Sequence, residues 1–454
     1  MNKKLSRTRD MTEGPILSHL LVFALPVLLG NILQQFYNLV DTVVIGRIEG
    51  VTAQAAVSSS GWLNWAVISL AIGLAEGFSI AIAQHFGAGN DEKLRRDAGQ
   101  SILLSVSSAL LLTVLSEVLL RRILFWMQTP EEVFELTCLY LRIIFGGIPL
   151  VLGFNLASGF LRSMGDSRTP LIAMVVSTFL NIGLDILFVG SLKLSVTGVA
   201  AATTISQGVS LIICLVPLVR MPVMAMKKSD LRPCARDMRR LMRLAMPISL
   251  QYGVISVGGL VLQGVVNSYG FLFMAGYSAA AKLQGLIEMA GSSVSSAVGT
   301  FTGQNWGAGR VNRVKKGVRS SVLLCTLLAV MIGGITLLTG RGLMSLFVRD
   351  DPDVVVQVLD VASRFLVYMC AGLWGLYMLF CYRSALQGMG KTMTAMISGL
   401  AELVMRVGAA LILPAVIGEE GVFLAEILAW YGAALWLVIG YYCTMSKISR
   451  NMRI

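Results

Sequence analysis

Four residues far apart in the chain have the types and placement to do chemistry: Asp41, Asn181, Asp185 and Thr203. Each lies in a long apolar run, where an ionisable or amide side chain is costly and points to function. Asn181 and Asp185 are four positions apart and share one helix face. Two carboxylates, an amide and a hydroxyl supply oxygen ligands and little else. Paired carboxylates with little water around them repel, so one of the two is expected to hold a proton. The same oxygens could hold a hard cation such as Na⁺. A structural alternative places Asp41 and Asp185 at the lipid headgroups, where they hydrogen-bond loop backbone.

The elements that must position these residues are membrane helices. Hydrophobic residues make up 56% of the 454-residue chain and charged residues 14%, against roughly 25% charge in soluble domains. A helix needs about 20 apolar residues to cross a bilayer. Twelve segments qualify: 15–45, 57–82, 99–120, 136–161, 170–189, 196–219, 243–267, 271–300, 317–340, 360–382, 393–415 and 421–443. The first is expected to be a retained helix, since no short apolar stretch ends at a small-residue cleavage site. At 1.5 Å per residue the four candidate residues fall in one slab, roughly 6–12 Å below the same boundary. The Lys and Arg count puts that boundary outside. With both termini inside, 27 basic residues fall in cytoplasmic segments, 6 in outer loops and 4 within helices (Arg142, Lys282, Arg364 and Arg406). The net charge of +12 is therefore read as anchoring to anionic lipid and not as a nucleic-acid surface.

The chain repeats itself. Ala83-Gln-His-Phe-Gly-Ala-Gly89 returns as Gly303-Gln-Asn-Trp-Gly-Ala-Gly309, each followed by basic residues. Leu25-Pro26 matches Met246-Pro247, and Leu161-Arg-Ser-Met-Gly-Asp-Ser-Arg-Thr169 matches Leu386-Gln-Gly-Met-Gly-Lys-Thr-Met-Thr394. Six helices separate the copies, so helix direction is kept and the repeats are parallel. This predicts an N-lobe over 1–219, a basic cytoplasmic linker over 220–242 and a C-lobe over 243–454. Pro26 and Pro247 each remove a helical hydrogen bond and are kink candidates. The glycine tripeptides carry no phosphate-binding pattern.

Other polar residues have plainer readings. Glu402 and Arg406, four apart, look like a self-neutralised pair. Lys282, Glu288 and Glu76 are further buried or interfacial charges, and each needs a partner that the spacing does not name. Adding the repeat offset sets Leu262, Arg406, Ala410 and Leu428 opposite Asp41, Asn181, Asp185 and Thr203, so the second half does not repeat the site. The seven cysteines are scattered with no metal spacing, and His19 and His85 read as interfacial or loop residues. The 23 methionines suit either membrane packing or an adaptable apolar cavity. No nucleophile–base or metal set appears, so no enzyme and no cofactor beyond a coupling ion is expected.

These motifs, with Gln34-Gln-Phe-Tyr-Asn-Leu-Val-Asp41, Leu161 to Pro170 and Asn181-Ile-Gly-Leu-Asp185, make the chain similar over its whole length to the multidrug and toxic compound extrusion (MATE) family. The resemblance implies an all-α integral membrane fold: 12 transmembrane helices in two parallel six-helix repeats, forming a V-shaped two-lobe transporter. It implies cation-coupled export of organic, cationic compounds. It also implies a proton or sodium site at Asp41, Asn181, Asp185 and Thr203, and a substrate cavity touched by Gln34, Tyr37 and Asn155. Another branch of that family uses acids in helices 7 and 10, where this chain carries none beyond Asp360. The expected protein is a monomer in the bacterial plasma membrane with both termini cytoplasmic. It binds a small organic cation and the lipid bilayer, and no nucleic acid. The nearest rival is a lipid-linked-precursor flippase of the same superfamily, which would line its cavity with several arginines. A channel is a further alternative.

Overall fold

The computed structural model describes residues 8–345, 348 and 351–451. Lys3, Lys4, Arg7 and Arg453, counted inside, and Arg349, counted outside, fall outside the described residues. The described chain is helical throughout. Its helices are α1 (Ile16–Ile48), α2 (Val51–Ser59), α3 (Gly61–Gly87), α4 (Asp91–Trp126), α5 (Glu131–Gly146), α6 (Ile148–Ser163) and α7 (Arg168–Asp185). They continue with α8 (Ser195–Arg220), α9 (Ala235–Ser268), α10 (Phe271–Gly307), α11 (Val311–Ser345), α12 (Pro352–Gly388), α13 (Thr392–Ile412), α14 (Pro414–Ile417) and α15 (Glu420–Asn451). A π-helical stretch, Ile186–Ser191, follows α7, and a 3₁₀ turn, Pro222–Met224, follows α8.

The expected twelve spans need adjustment. Among the described residues ten helices are long and apolar enough to cross a membrane, or eleven if α5 and α6, bent by 44°, count as one span. The bend follows from Gly146-Gly147-Ile148-Pro149: glycine frees the backbone, and proline at the start of α6 removes a donor. The remaining expected span is α10, which is 37 residues long. Lys282, Gln284, Glu288 and the serines at 292, 293, 295 and 296 dilute its apolar character. Most helices also overrun the expected limits. α4 covers 91–126 where 99–120 was expected, because hydropathy marks the hydrocarbon-facing middle and not the charged turns beyond it. Pro26 and Pro247 sit inside α1 and α9, and neither interrupts its helix.

The chain forms two compact units. One holds residues 8–13, 25–253 and 303–309; the other holds 14–24, 254–302 and 310–451. In the first, α3 packs on α4 and α6, and α8 packs on α5, α6 and α7. Its core includes Phe78, Phe145, Leu152, Phe160 and Leu161. Glycines on α3 let α9 come close: a Cβ on Gly73 or Gly77 would overlap the backbone of Ser249 or Ala245. The two copies of the repeated motif meet here as well. A Cβ on Gly87 would overlap the carbonyl of Gln304, and one on Gly307 would overlap that of Gln84. Each glycine thus seats the other copy's backbone.

In the second unit, α12 packs on α11 and α15, and α13 on α15. Phe273, Phe365, Phe423 and Tyr277 stack in its core, with ring centroids 4.6–5.5 Å apart.

The repeat extends to backbone conformation. Eight of the left-handed residues form four pairs at matching places: Gly50 and Gly270, Gly89 and Gly309, Gly165 and Gly390, Lys193 and Gly418. In each pair the chain turns between helices at the same point of its half.

Candidate functional site

Three elements of the first unit deliver the acidic site. α1 carries Asp41, α7 carries Asn181 and Asp185, and α8 carries Thr203. α7 is started by Asp166. Its Oδ1 accepts the N–H groups of Arg168 and Thr169, both at 3.0 Å, and its Oδ2 accepts the Thr169 hydroxyl at 2.6 Å. This is a helix-start cap, and it explains the Met-Gly-Asp-Ser-Arg-Thr motif as local structure. At the other end of α7 the chain widens into the π-helical stretch directly after Asp185, a feature frequent at functional sites.

Asp41, Asn181 and Asp185 are buried, with Asp185 fully so. The Asp41 and Asp185 carboxyls are neighbours, close enough to interact electrostatically. Thr203 Oγ1 donates to Asp41 Oδ2 at 3.5 Å, a long contact. Among the described residues no hydrogen-bond partner reaches Asp41 Oδ1, either Asp185 oxygen, or the amide oxygen and nitrogen of Asn181. Buried polar groups are normally hydrogen-bonded. Two carboxyls facing each other with open lone pairs fit a shared proton or a small hard cation.

The structure brings Asp41, Asp185 and Thr203 together. Asn181 lies one turn from Asp185 on the same helix face. Tyr37, one turn before Asp41, lies beside the side chains of Gln34 and Gln207. It thus stands beside the acids as well as beside the expected cavity residue Gln34, which is exposed. Asn155 gives its amide to the Val151 carbonyl of its own helix at 2.9 Å.

Sequence reasoning missed several neighbours. Tyr140 of α5 sits close enough to couple electrostatically with Asp41 and Asp185. Thr178, Ser206 and Gln207 each have a polar oxygen that is buried and unbonded. Thr178 is three residues before Asn181, and Ser206 and Gln207 are three and four after Thr203. Helical spacing from the recognised residues would have found them.

The second unit holds a different arrangement. Glu402 accepts from Arg406 at 2.9 Å, the expected pair, but it also takes Arg383 at 2.9 Å. Arg406 Nε faces Glu426 at 3.3 Å. Glu288 of α10 accepts from Gln284 at 2.8 Å. Arg383, read from sequence as a cytoplasmic loop residue, is inside α12 and largely buried. Its hydrophobic neighbours end at Tyr382, and this placed the helix end too early. In the first unit Glu76 is met by the Tyr252 hydroxyl at 3.0 Å. His85, read from sequence as an interfacial or loop residue, lies 3.0 Å from the buried Asp97, which also takes Arg240.

The MatE family model matches residues 26–187 and again 247–412, so the two matches begin at Pro26 and Pro247. The chain belongs to the MatE family. Similar curated members include the probable multidrug resistance protein YoeA of Bacillus subtilis, 31% identical over 82% of this chain and 80% of that one. The multidrug export protein MepA of Staphylococcus aureus is 22% identical over 96% of both chains. Among solved structures, MATE in the bent conformation superposes with a TM-score of 0.90 at 23% identity, covering 98% of each chain. The protein is a multi-pass, all-helical membrane transporter of the MatE family. These relatives are transporters, and they do not favour the flippase reading.

Proposed function

We propose that this MatE-family protein is an antiporter that exports organic, cationic compounds in exchange for H⁺ or Na⁺. The observation that carries the reading is the Asp41–Asp185 pair: buried, mutually facing and open to a ligand. Asp41 and Asp185 supply the charge, Thr203 a hydroxyl and Asn181 an amide oxygen. Gln34, Tyr37 and Asn155 are the proposed substrate contacts.

Coupling requires ion and substrate to favour different conformations, since a ligand with equal affinity for both shifts nothing. A proton or Na⁺ on the acid pair cancels its repulsion and lets α1 and α7 close together. Loss of the ion leaves two like charges that push the helices apart. Bending of α1 at Pro26, with Pro247 as its counterpart in α9, is the proposed moving part. The two halves, 1–219 and 243–454, then open by turns to either side of the membrane, as lobes of a V with cytoplasmic termini, in a monomer.

The test is efflux of a fluorescent organic cation from proteoliposomes under separate pH and Na⁺ gradients. Wild type is expected to respond to one gradient, and Asp41→Asn is expected to lose that response with an unchanged thermal midpoint. Full gradient-driven efflux in the folded mutant would sink the assignment.

A further inference from the structure

A second feature of the first unit lies well away from the acids. α4, α6, α8 and the segment after α8 enclose a groove of about 660 Å³, within the range of small-molecule sites. Small residues open it: Ala109 on α4 and Gly153 on α6 leave room where larger side chains would fill it. Its outer edges are lipid-facing, with Val106 56% and Val219 77% exposed. The lining is apolar except at one level, where the Ser105 hydroxyl is buried and has no hydrogen-bond partner among the described residues.

One end of the groove is basic. Val219 and Met226 line it, and the next residues along the chain are Arg220, Lys227 and Lys228, all exposed. One acid lies in the same turn: Asp230 is buried, and its Oδ2 accepts the backbone N–H of Lys227 at 2.8 Å. This segment is fixed to α4 by Gln100, whose amide donates to the carbonyls of Asp230 and Arg232 at 3.0 and 2.9 Å. Ser105 is five residues further along α4, roughly 7.5 Å deeper. The polar zone of a bilayer leaflet is about 5–7 Å thick. A charged headgroup at the level of Gln100 would therefore place its ester oxygens near Ser105 and its acyl chain along the apolar lining.

We propose that this groove is a binding site for one anionic phospholipid from the leaflet at the basic end of the molecule. Arg220, Lys227 and Lys228 hold the phosphate, Ser105 donates to an ester carbonyl, and the tail lies between α4, α6 and α8. The site does not depend on the acid pair or on the transport reading.

Purified protein in detergent is offered equal amounts of phosphatidylglycerol and phosphatidylcholine with identical tails, and retained lipid is read by native mass spectrometry. Wild type is expected to retain one phosphatidylglycerol in preference, by about fivefold for each basic residue engaged. The triple variant Arg220→Gln, Lys227→Gln, Lys228→Gln loses the preference but keeps a lipid. Val106→Trp, at a half-exposed position, loses both lipids with an unchanged thermal midpoint. Equal retention of the two lipids by wild type overturns the proposal. So does undiminished retention by folded Val106→Trp. Displacement of the lipid by tetraphenylphosphonium would make the groove a substrate pocket and overturn it as well.

Discussion

At the scale of single residues, the two units use buried charge in opposite ways. Among the described residues the Asp41–Asp185 pair has no basic partner, as the proposed ion role requires. Glu402 is held between Arg383 and Arg406, with all three side chains largely buried. Removing the acid takes the acidic partner from Arg383 and leaves Arg406 with Glu426 alone, and breaking a buried pair typically costs about 3–5 kcal/mol. Glu402→Leu is therefore expected to lower the thermal midpoint sharply, and a melt of the purified variant checks this. Asp41→Asn, in contrast, should not. The acid site was legible in the sequence because four polar residues shared one depth in otherwise apolar helices. Tyr140 and Glu426 were not, because their roles arise from which helices pack together. Arg383 was hidden by its position at the edge of an apolar run.

At the scale of elements, helix existence was readable and helix ends were not. Apolar runs mark the bilayer-facing part of each helix. The start of α7 is set instead by Asp166, whose three hydrogen bonds no hydropathy reading registers. Asp166→Ala should cost about 1 kcal/mol, measured as a modest fall in thermal midpoint. Glycines separate into two kinds. Gly334 on α11 faces open space, so Gly334→Ala should be neutral or stabilising by up to about 1 kcal/mol. At Gly307 a new methyl would meet a main-chain carbonyl that has no rotamer to change. Gly307→Ala should destabilise by at least about 1–3 kcal/mol. Equal melting of the two variants would show that the close approach does not matter.

At the scale of the whole molecule, the repeat was legible from three short motifs and is now visible in backbone conformation and in the doubled family match. The split into units was less so: α1 and α9 each run from one unit into the other, and sequence alone treats a helix as belonging to its half. Sidedness rests on the distribution of basic residues. It is checked by single cysteines placed in a cysteine-free background on intact cells. Arg122→Cys should react with a membrane-impermeant thiol reagent, and Lys316→Cys should not. The reverse pattern would invert the molecule.

The crossing of the two motif copies sets a mechanical condition. Gly87 has Phe86 and Ala88 beside it, and Gly307 has Trp306 and Ala308. The ends of α3 and α10 thus meet main chain to main chain, with no side chain between them at the crossing. A methyl on either glycine would act as a spacer and force the two helix ends apart.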